Sequence, residues 1–254
     1  VYIIKNLAKN YHLEKIEKIF LVSDNSIKIF PEIQNCQKTI YNYYKKLKLI
    51  KINGLLDIIP SFENILLIFD NQAISLKKLL KILENIKPFE NVSNLKKFNN
   101  YEYEIPICYD KKFGIDLNFL AKKFSINSKD IIDIHLSKKY KILMMGFIAG
   151  LPFMGNLDEK LSIPRRSNPR KKINAGSVGI AIRQCVIYPQ NSPGGWHIIG
   201  STPIKIFNKN AVEPIFFKTG DVIKFKKIDI KLYKYLKKEI QNNNFELPNK
   251  LLNY

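Results

Sequence analysis

The chain has few of the residues that would point quickly to a chemistry. Among 254 residues there are three cysteines, three histidines, three methionines and one tryptophan. Cys36, Cys108 and Cys185 stand apart and match neither a disulfide framework nor a zinc spacing. His12, His135 and His197 share no ligand spacing with one another or with the cysteines, so no metal site is expected. The glycine-rich phosphate loop of Walker type is absent, which removes the best-known route to a nucleotide. Residues 142–157 carry no charge, but Gly146, Gly150, Pro152 and Asn156 break them into pieces too short to span a bilayer. The first residues do not read as a signal peptide. A soluble protein of a reducing, cytoplasmic compartment is expected.

Acidic residues are also scarce: 22 Asp and Glu face 42 Lys and Arg, a net charge of +20. Such a balance can indicate nucleic acid or an acidic membrane. Here the lysines run along the whole chain and are not interleaved with aromatics as a stacking platform would be. Together with abundant Ile and Asn they fit an AT-rich coding sequence. Neither a specific nucleic-acid partner nor a membrane is expected.

Arginine is the scarce cation, with four positions in all. Arg165, Arg166, Arg170 and Arg183 all fall within residues 146–203. That window also holds eight of the eleven glycines, half of the prolines and the single Trp196. A planar, five-donor guanidinium does what an ammonium cannot where a carboxylate or phosphate must be gripped bidentately. The arginines are therefore candidates for anion handling; the alternative is that they brace turns.

Ahead of this window the pattern alternates. Residues 26–30 form a short strand stopped by Pro31. Residues 32–49 repeat apolar side chains at helical spacing, and 55–59 and 65–69 are strands. Ser75 can cap a helix running to residue 86 that Pro88 ends. One further strand would complete a small two-layer α/β domain. Residues 91–100 read as a linker. Beyond them come a strand at 101–108, two short helices after Asp116 and Ser128, and Gly- and Pro-punctuated strands of a barrel or sandwich. These include the run through residues 204–207. Residues 229–242 read as a lysine-rich helix. His135, on an apolar helix face, is a packed or capping histidine, and Met144 and Met145 are core.

Within the window, Ala175-Gly176-Ser177-Val178-Gly179 is not a nucleophile elbow, because a glycine directly precedes the serine. Ser177 better suits a turn offering a hydroxyl to an anion. His197 beside Trp196, after Ser192-Pro193-Gly194-Gly195, is a candidate acid–base group. Tyr188 and Gln184 are further candidates, the alternative for Tyr188 and Trp196 being barrel core.

The segments 146–155 (GFIAGLPFMG), Pro164-Arg165-Arg166 with Pro169-Arg170, 175–181, Ile187-Tyr188-Pro189, 192–196 and Ile199-Gly200-Ser201-Thr202-Pro203 occur in one order. In that order they resemble the signatures of the B subunits of bacterial 5-oxoprolinases. This family is also called KipI, or allophanate hydrolase subunit 1, and is related to subdomains C and D of the carboxyltransferase domain. The likeness extends over residues 20–230. It departs at Ala149, Asn174 and Ser201, where the family has Pro, Pro and Arg. It departs also at Ile182-Arg183 and Cys185-Val186, where small residues and Thr-Gly are usual.

The resemblance implies a ferredoxin-like α/β domain over residues 1–95, a cyclophilin-like β-barrel over 100–230 and a helical tail over 231–254. It implies assembly with the A and C subunits of 5-oxoprolinase, the substrate 5-oxoproline, and ATP used by the assembled complex with no cofactor on this chain. An anion-binding set of Arg165, Arg166, Arg170, Ser177, Ser192, Gly194, Gly195 and Trp196 follows, with His197, Tyr188 and Gln184 as catalytic candidates. The same family resemblance leaves open an inhibitor of a sensor histidine kinase and a carboxyltransferase component of a biotin-dependent urea carboxylase. Neighbouring genes would separate these. Peptidyl-prolyl isomerisation would rest on the barrel fold alone, and a fold does not carry a function.

Overall fold

The structure is a computed structural model that describes residues 16–31, 36–86, 99–242 and 247–252. The chain divides into two units, one ending at residue 98 and the other covering residues 99–253.

In the first unit, β1 (Ile16–Ser23), β2 (Ser26–Pro31), α1 (Cys36–Leu49), β3 (Leu55–Pro60), β4 (Ile65–Phe69) and α2 (Leu76–Glu84) follow in order. The sheet runs β1-β2-β4-β3 with every pair antiparallel. This is a ferredoxin-like arrangement of β2-α1-β3-β4-α2, with β1 at the sheet edge beside β2. The further strand implied by the sequence thus comes first in the chain. Alternation puts Ile27, Ile29, Ile65, Leu67 and Phe69 on one sheet face, against Leu79, Leu80 and Leu83 of α2 and Tyr43 and Leu47 of α1. Ser75 caps α2 by accepting from the Lys78 N–H at 3.3 Å. Pro88, residues 32–35 and most of the proposed linker lie outside the described residues. Asn100, placed in the linker by sequence, belongs to the barrel: it is buried, and its carboxamide donates to the Thr219 carbonyl and the Asp221 carboxylate, each at 3.2 Å.

The second unit continues with β5 (Asn100–Cys108), α3 (Leu117–Phe124), α4 (Ser128–Leu136), β6 (Lys139–Met145) and β7 (Pro152–Met154). Next come β8 (Arg170–Ile173), β9 (Ser177–Ala181), β10 (Gln184–Ile187), β11 (Ser192–Gly194), β12 (His197–Ser201) and β13 (Val222–Ile228). It ends with α5 (Ile230–Gln241) and β14 (Asn249–Leu252). Seven strands, in the order β12-β9-β10-β7-β6-β13-β5, close into a barrel where Ser201 meets Cys108. This is the cyclophilin-like barrel. β8 and β11 form a separate ribbon, and β14 adds to β5 outside the ring.

Two expectations change. The helical tail stops at Gln241, after which residues 249–252 form a strand rather than more helix. Residues 204–207 are not a strand; only Phe207 bridges to Ile215. β12 ends after Ser201: the Thr202 N–H still reaches the Gly176 carbonyl at 2.8 Å, but Pro203 has no N–H to carry the ladder further. Among the described residues no helix is long and apolar enough to cross a membrane.

The barrel interior holds one polar thread. His135 is fully buried; its Nδ1 lies 2.7 Å from the Tyr109 hydroxyl and its Nε2 3.5 Å from Cys185 Sγ. Burial pushes His135 down to about 3 and the Cys185 thiol and Tyr109 hydroxyl up, so all three are neutral packing groups. This predicts acid sensitivity. Below about 6.5 the unfolded chain takes up a proton that the folded imidazole refuses until about pH 3. Stability therefore falls as pH drops through that window, by up to about 1.4 kcal/mol per unit from this group. Urea midpoints measured between pH 7 and 4 should show this slope, and His135→Asn should reduce it. An unchanged slope in the variant would refute the assignment.

Candidate functional site

The glycine- and proline-rich window supplies the barrel strands β7, β9, β10 and β12 and, between them, the β8–β11 ribbon, which forms a strap separate from the barrel sheet. β8 and β11 pair with Gly194 opposite Arg170, and the Arg166 N–H donates to the Gly195 carbonyl at 2.7 Å. Gly194 passes so close to Tyr188 that a Cβ there would overlap the phenol oxygen. Tyr188 is buried among Leu151, Ile173, Trp196 and Ile198, and desolvation pushes its hydroxyl up to about 12. Tyr188 and Trp196 are therefore barrel-side core.

Asp116 is the hub of the strap. It precedes α3 at the cap position, yet its side chain makes no capping hydrogen bond. Its carboxylate, 4% exposed, turns instead to accept both Nη atoms of Arg170, at 2.6 and 2.9 Å. It also accepts the Ile198 N–H at 2.6 Å, and Arg166 Nη1 lies 3.5 Å away. The Asp116 N–H returns a bond to the Ile198 carbonyl at 3.0 Å. Two guanidinium groups thus share one carboxylate, leaving one net positive charge. Arg166 Nε is buried with no hydrogen-bond partner among the described residues.

The four arginines therefore separate. Arg170 is a brace with its fork occupied, and Arg166 is partly engaged. Arg183 pairs with Glu159 at 2.6 Å, both side chains exposed. Arg165 is exposed and sits over the Trp196 ring at 5.2 Å, a cation–π contact with no carboxylate partner among the described residues.

His197 is buried, its ring stacked on Phe119 with centroids 5.5 Å apart and planes within 6°. Nε2 lies 3.1 Å from the Pro164 carbonyl, which can only accept, so Nε2 carries the hydrogen. Nδ1 is then a buried lone pair with no partner among the described residues. Burial lowers the pKa of His197, against the Pro164 carbonyl and Asp116, which raise it. Gln184 begins β10 about 13 Å along the chain from Tyr188, at one strand rise per residue. Tyr188 and Gln184 thus do not converge. Ser192 bonds the Pro193 carbonyl at 3.2 Å. Ser177, at the start of β9, lines a separate cleft together with Arg170. Among the described residues no group of three His, Cys, Asp or Glu could hold a metal ion.

Sequence reasoning treats Asp116 only as the start of a helix. Its one signal is negative: it is an acid whose partners lie 54 and 82 residues away.

Residues 20–217 match the family model for the carboxyltransferase domain, subdomain C and D. The chain therefore belongs to the family of carboxyltransferase-domain subdomains C and D. It is 36% identical over 197 residues to the 5-oxoprolinase B subunit of Bacillus subtilis strain 168, covering 73% of this chain and 81% of that one. It is 40% identical over 162 residues to the Haemophilus influenzae 5-oxoprolinase B subunit, covering 64% and 75%. The K. lactis urea amidolyase superposes with a TM-score of 0.76 over 93% of this chain at 19% identity, a likeness of fold alone; this chain spans 16% of it. The chain belongs to the family of 5-oxoprolinase B subunits.

Proposed function

We propose that this chain is the B subunit of an ATP-dependent 5-oxoprolinase, opening 5-oxo-L-proline to L-glutamate together with A and C subunits. In that reaction the lactam C–N bond breaks, water supplies the oxygen of the new carboxylate, and the ring nitrogen takes up protons as the amine. A lactam carbonyl is a poor electrophile, and oxygen-centred charge develops as it is attacked or phosphorylated. Preorganised cationic donors lower that barrier most when they are held rigidly. ATP would be bound elsewhere in the complex.

The observation that carries this reading is the division among the arginines. Arg170 and Arg183 are held by carboxylates, while Arg165 stays exposed over Trp196 beside the partly engaged Arg166. Arg165 would meet the anionic substrate or intermediate. His197 and Tyr188 would hold the strap that presents it.

Co-expression with the A and C subunits, followed by glutamate release from 5-oxoproline, tests the proposal. Arg165→Lys keeps the charge but loses the planar fork, and should lower turnover by roughly tenfold, about 1–2 kcal/mol, with unchanged melting. Arg170→Lys should lower melting first. Wild-type turnover in the Arg165→Lys complex would sink the role given to Arg165. A complex that releases no glutamate would sink the reaction.

A further inference from the structure

A cleft of about 370 Å³ opens in the barrel unit, and neither Arg165 nor Trp196 lines it. Three lysines from distant parts of the chain converge on it: Lys112 from the loop after β5, Lys172 from β8 and Lys237 from α5. None has a carboxylate partner among the described residues, and no acidic residue lines the cleft. Elsewhere in the same unit lysines do find acids, as in Lys138–Asp158, Lys139–Glu102 and Lys226–Glu104. The fourth cation of the wall, Arg170, has both Nη atoms engaged by Asp116. Three like charges held around one concavity repel one another and concentrate anions there.

Hydroxyls accompany the charges. Ser201 and Tyr233, both buried, lie 3.0 Å apart, oxygen to oxygen, and both line the cleft. Ser177, 9% exposed, adds a third hydroxyl-bearing side chain to the same wall. Phe113 and the exposed Ile115 add an apolar rim.

These groups select a ligand chemistry. Ammonium groups and hydroxyls are point donors suited to a tetrahedral anion of two or more charges. The planar fork that best grips a carboxylate is occupied by Asp116. We propose that this cleft binds a phosphoryl group, free or carried on a small organic molecule, with Lys112, Lys172 and Lys237 as its cationic wall and Ser177 and Ser201 as hydroxyl donors. Nothing in this assignment depends on the oxoprolinase reaction, because it is read as binding by the single chain.

Calorimetry on the full chain with inorganic phosphate, phenyl phosphate and glutamate tests it. Saturable binding of a phosphate ligand is expected at physiological salt. The double variant Lys172→Gln/Lys237→Gln should weaken it about tenfold or more, and Ser177→Ala by about three- to tenfold. Lys77→Gln/Lys81→Gln, on exposed positions of α2, should leave it unchanged. Tighter binding of phenyl phosphate than of phosphate assigns the site to an organic phosphate; equal binding assigns it to the free ion. Equal losses in the two double variants would mean that only the net charge of the protein is felt, and would overturn the site. So would full binding by Lys172→Gln/Lys237→Gln. Glutamate binding as tightly as phosphate would overturn the phosphoryl assignment.

Discussion

Replacing Asp116 by Ala is expected to destabilise the barrel unit by about 3 kcal/mol. The carboxylate is 4% exposed, and among the described residues it is the only acid against Arg170 and Arg166, whose side chains are 24% and 30% exposed. Removing it leaves two half-buried cations facing each other and orphans the buried Ile198 N–H that it accepts at 2.6 Å. Either loss alone is worth on the order of 1–3 kcal/mol; partial solvation of the arginines keeps the total below the range for fully buried pairs. For a unit of this size the loss corresponds to a fall of about 6–12 °C in melting temperature. Asp116→Asn, which can still accept from Ile198, should fall between Ala and wild type. In a double-mutant cycle with Arg170→Gln, the two losses should be clearly less than additive, because each removes the same pair. A melting temperature within a degree of wild type for Asp116→Ala would refute the hub.

Gly176→Ala should cost about 2–4 kcal/mol for a different reason. Gly176 has φ of +82°, the left-handed region, and a Cβ would run into the Thr202 carbonyl oxygen. The backbone cannot retreat, since the Gly176 N–H donates to the Tyr188 carbonyl at 2.7 Å and its own carbonyl accepts from Thr202 at 2.8 Å. The conformational penalty contributes about 1–2 kcal/mol and the overlap the remainder. Gly195→Ala is the matched control. Its nearest neighbour to an added Cβ is the Arg166 carbonyl oxygen at 3.5 Å, and its φ is not in the left-handed region, so it should change stability by less than about 1 kcal/mol. Urea midpoints of the two variants give the comparison. Equal costs would show that Gly176 is not pinned as described.

The two glycines show where sequence reasoning reaches its limit. Both sit in motifs shared with the family, and only the tertiary contacts of each tell which one tolerates a side chain. The arginines make the same point. Their clustering near Trp196 was visible in composition. Their division into a brace, a partial brace, an exposed ion pair and an exposed cation over an indole was not. His197, Tyr188 and Gln184, neighbours in one segment of sequence, are buried; Gln184 begins β10 and Tyr188 follows its last residue.

By itself the sequence determined what depends on near neighbours along the chain. The period-two strands of the first unit, the apolar face of α2 and the cap at Ser75 act within a few residues and needed no fold to be read. The collinear motifs likewise marked the family. Only the tertiary structure decided which long-range partners meet: β14 beside β5, Asp116 under Arg170, and Lys112, Lys172 and Lys237 around one cleft. Those contacts join residues 54 to more than 100 positions apart. Chain periodicity carries no information over such distances, and closure of the barrel is what turns separated residues into neighbours.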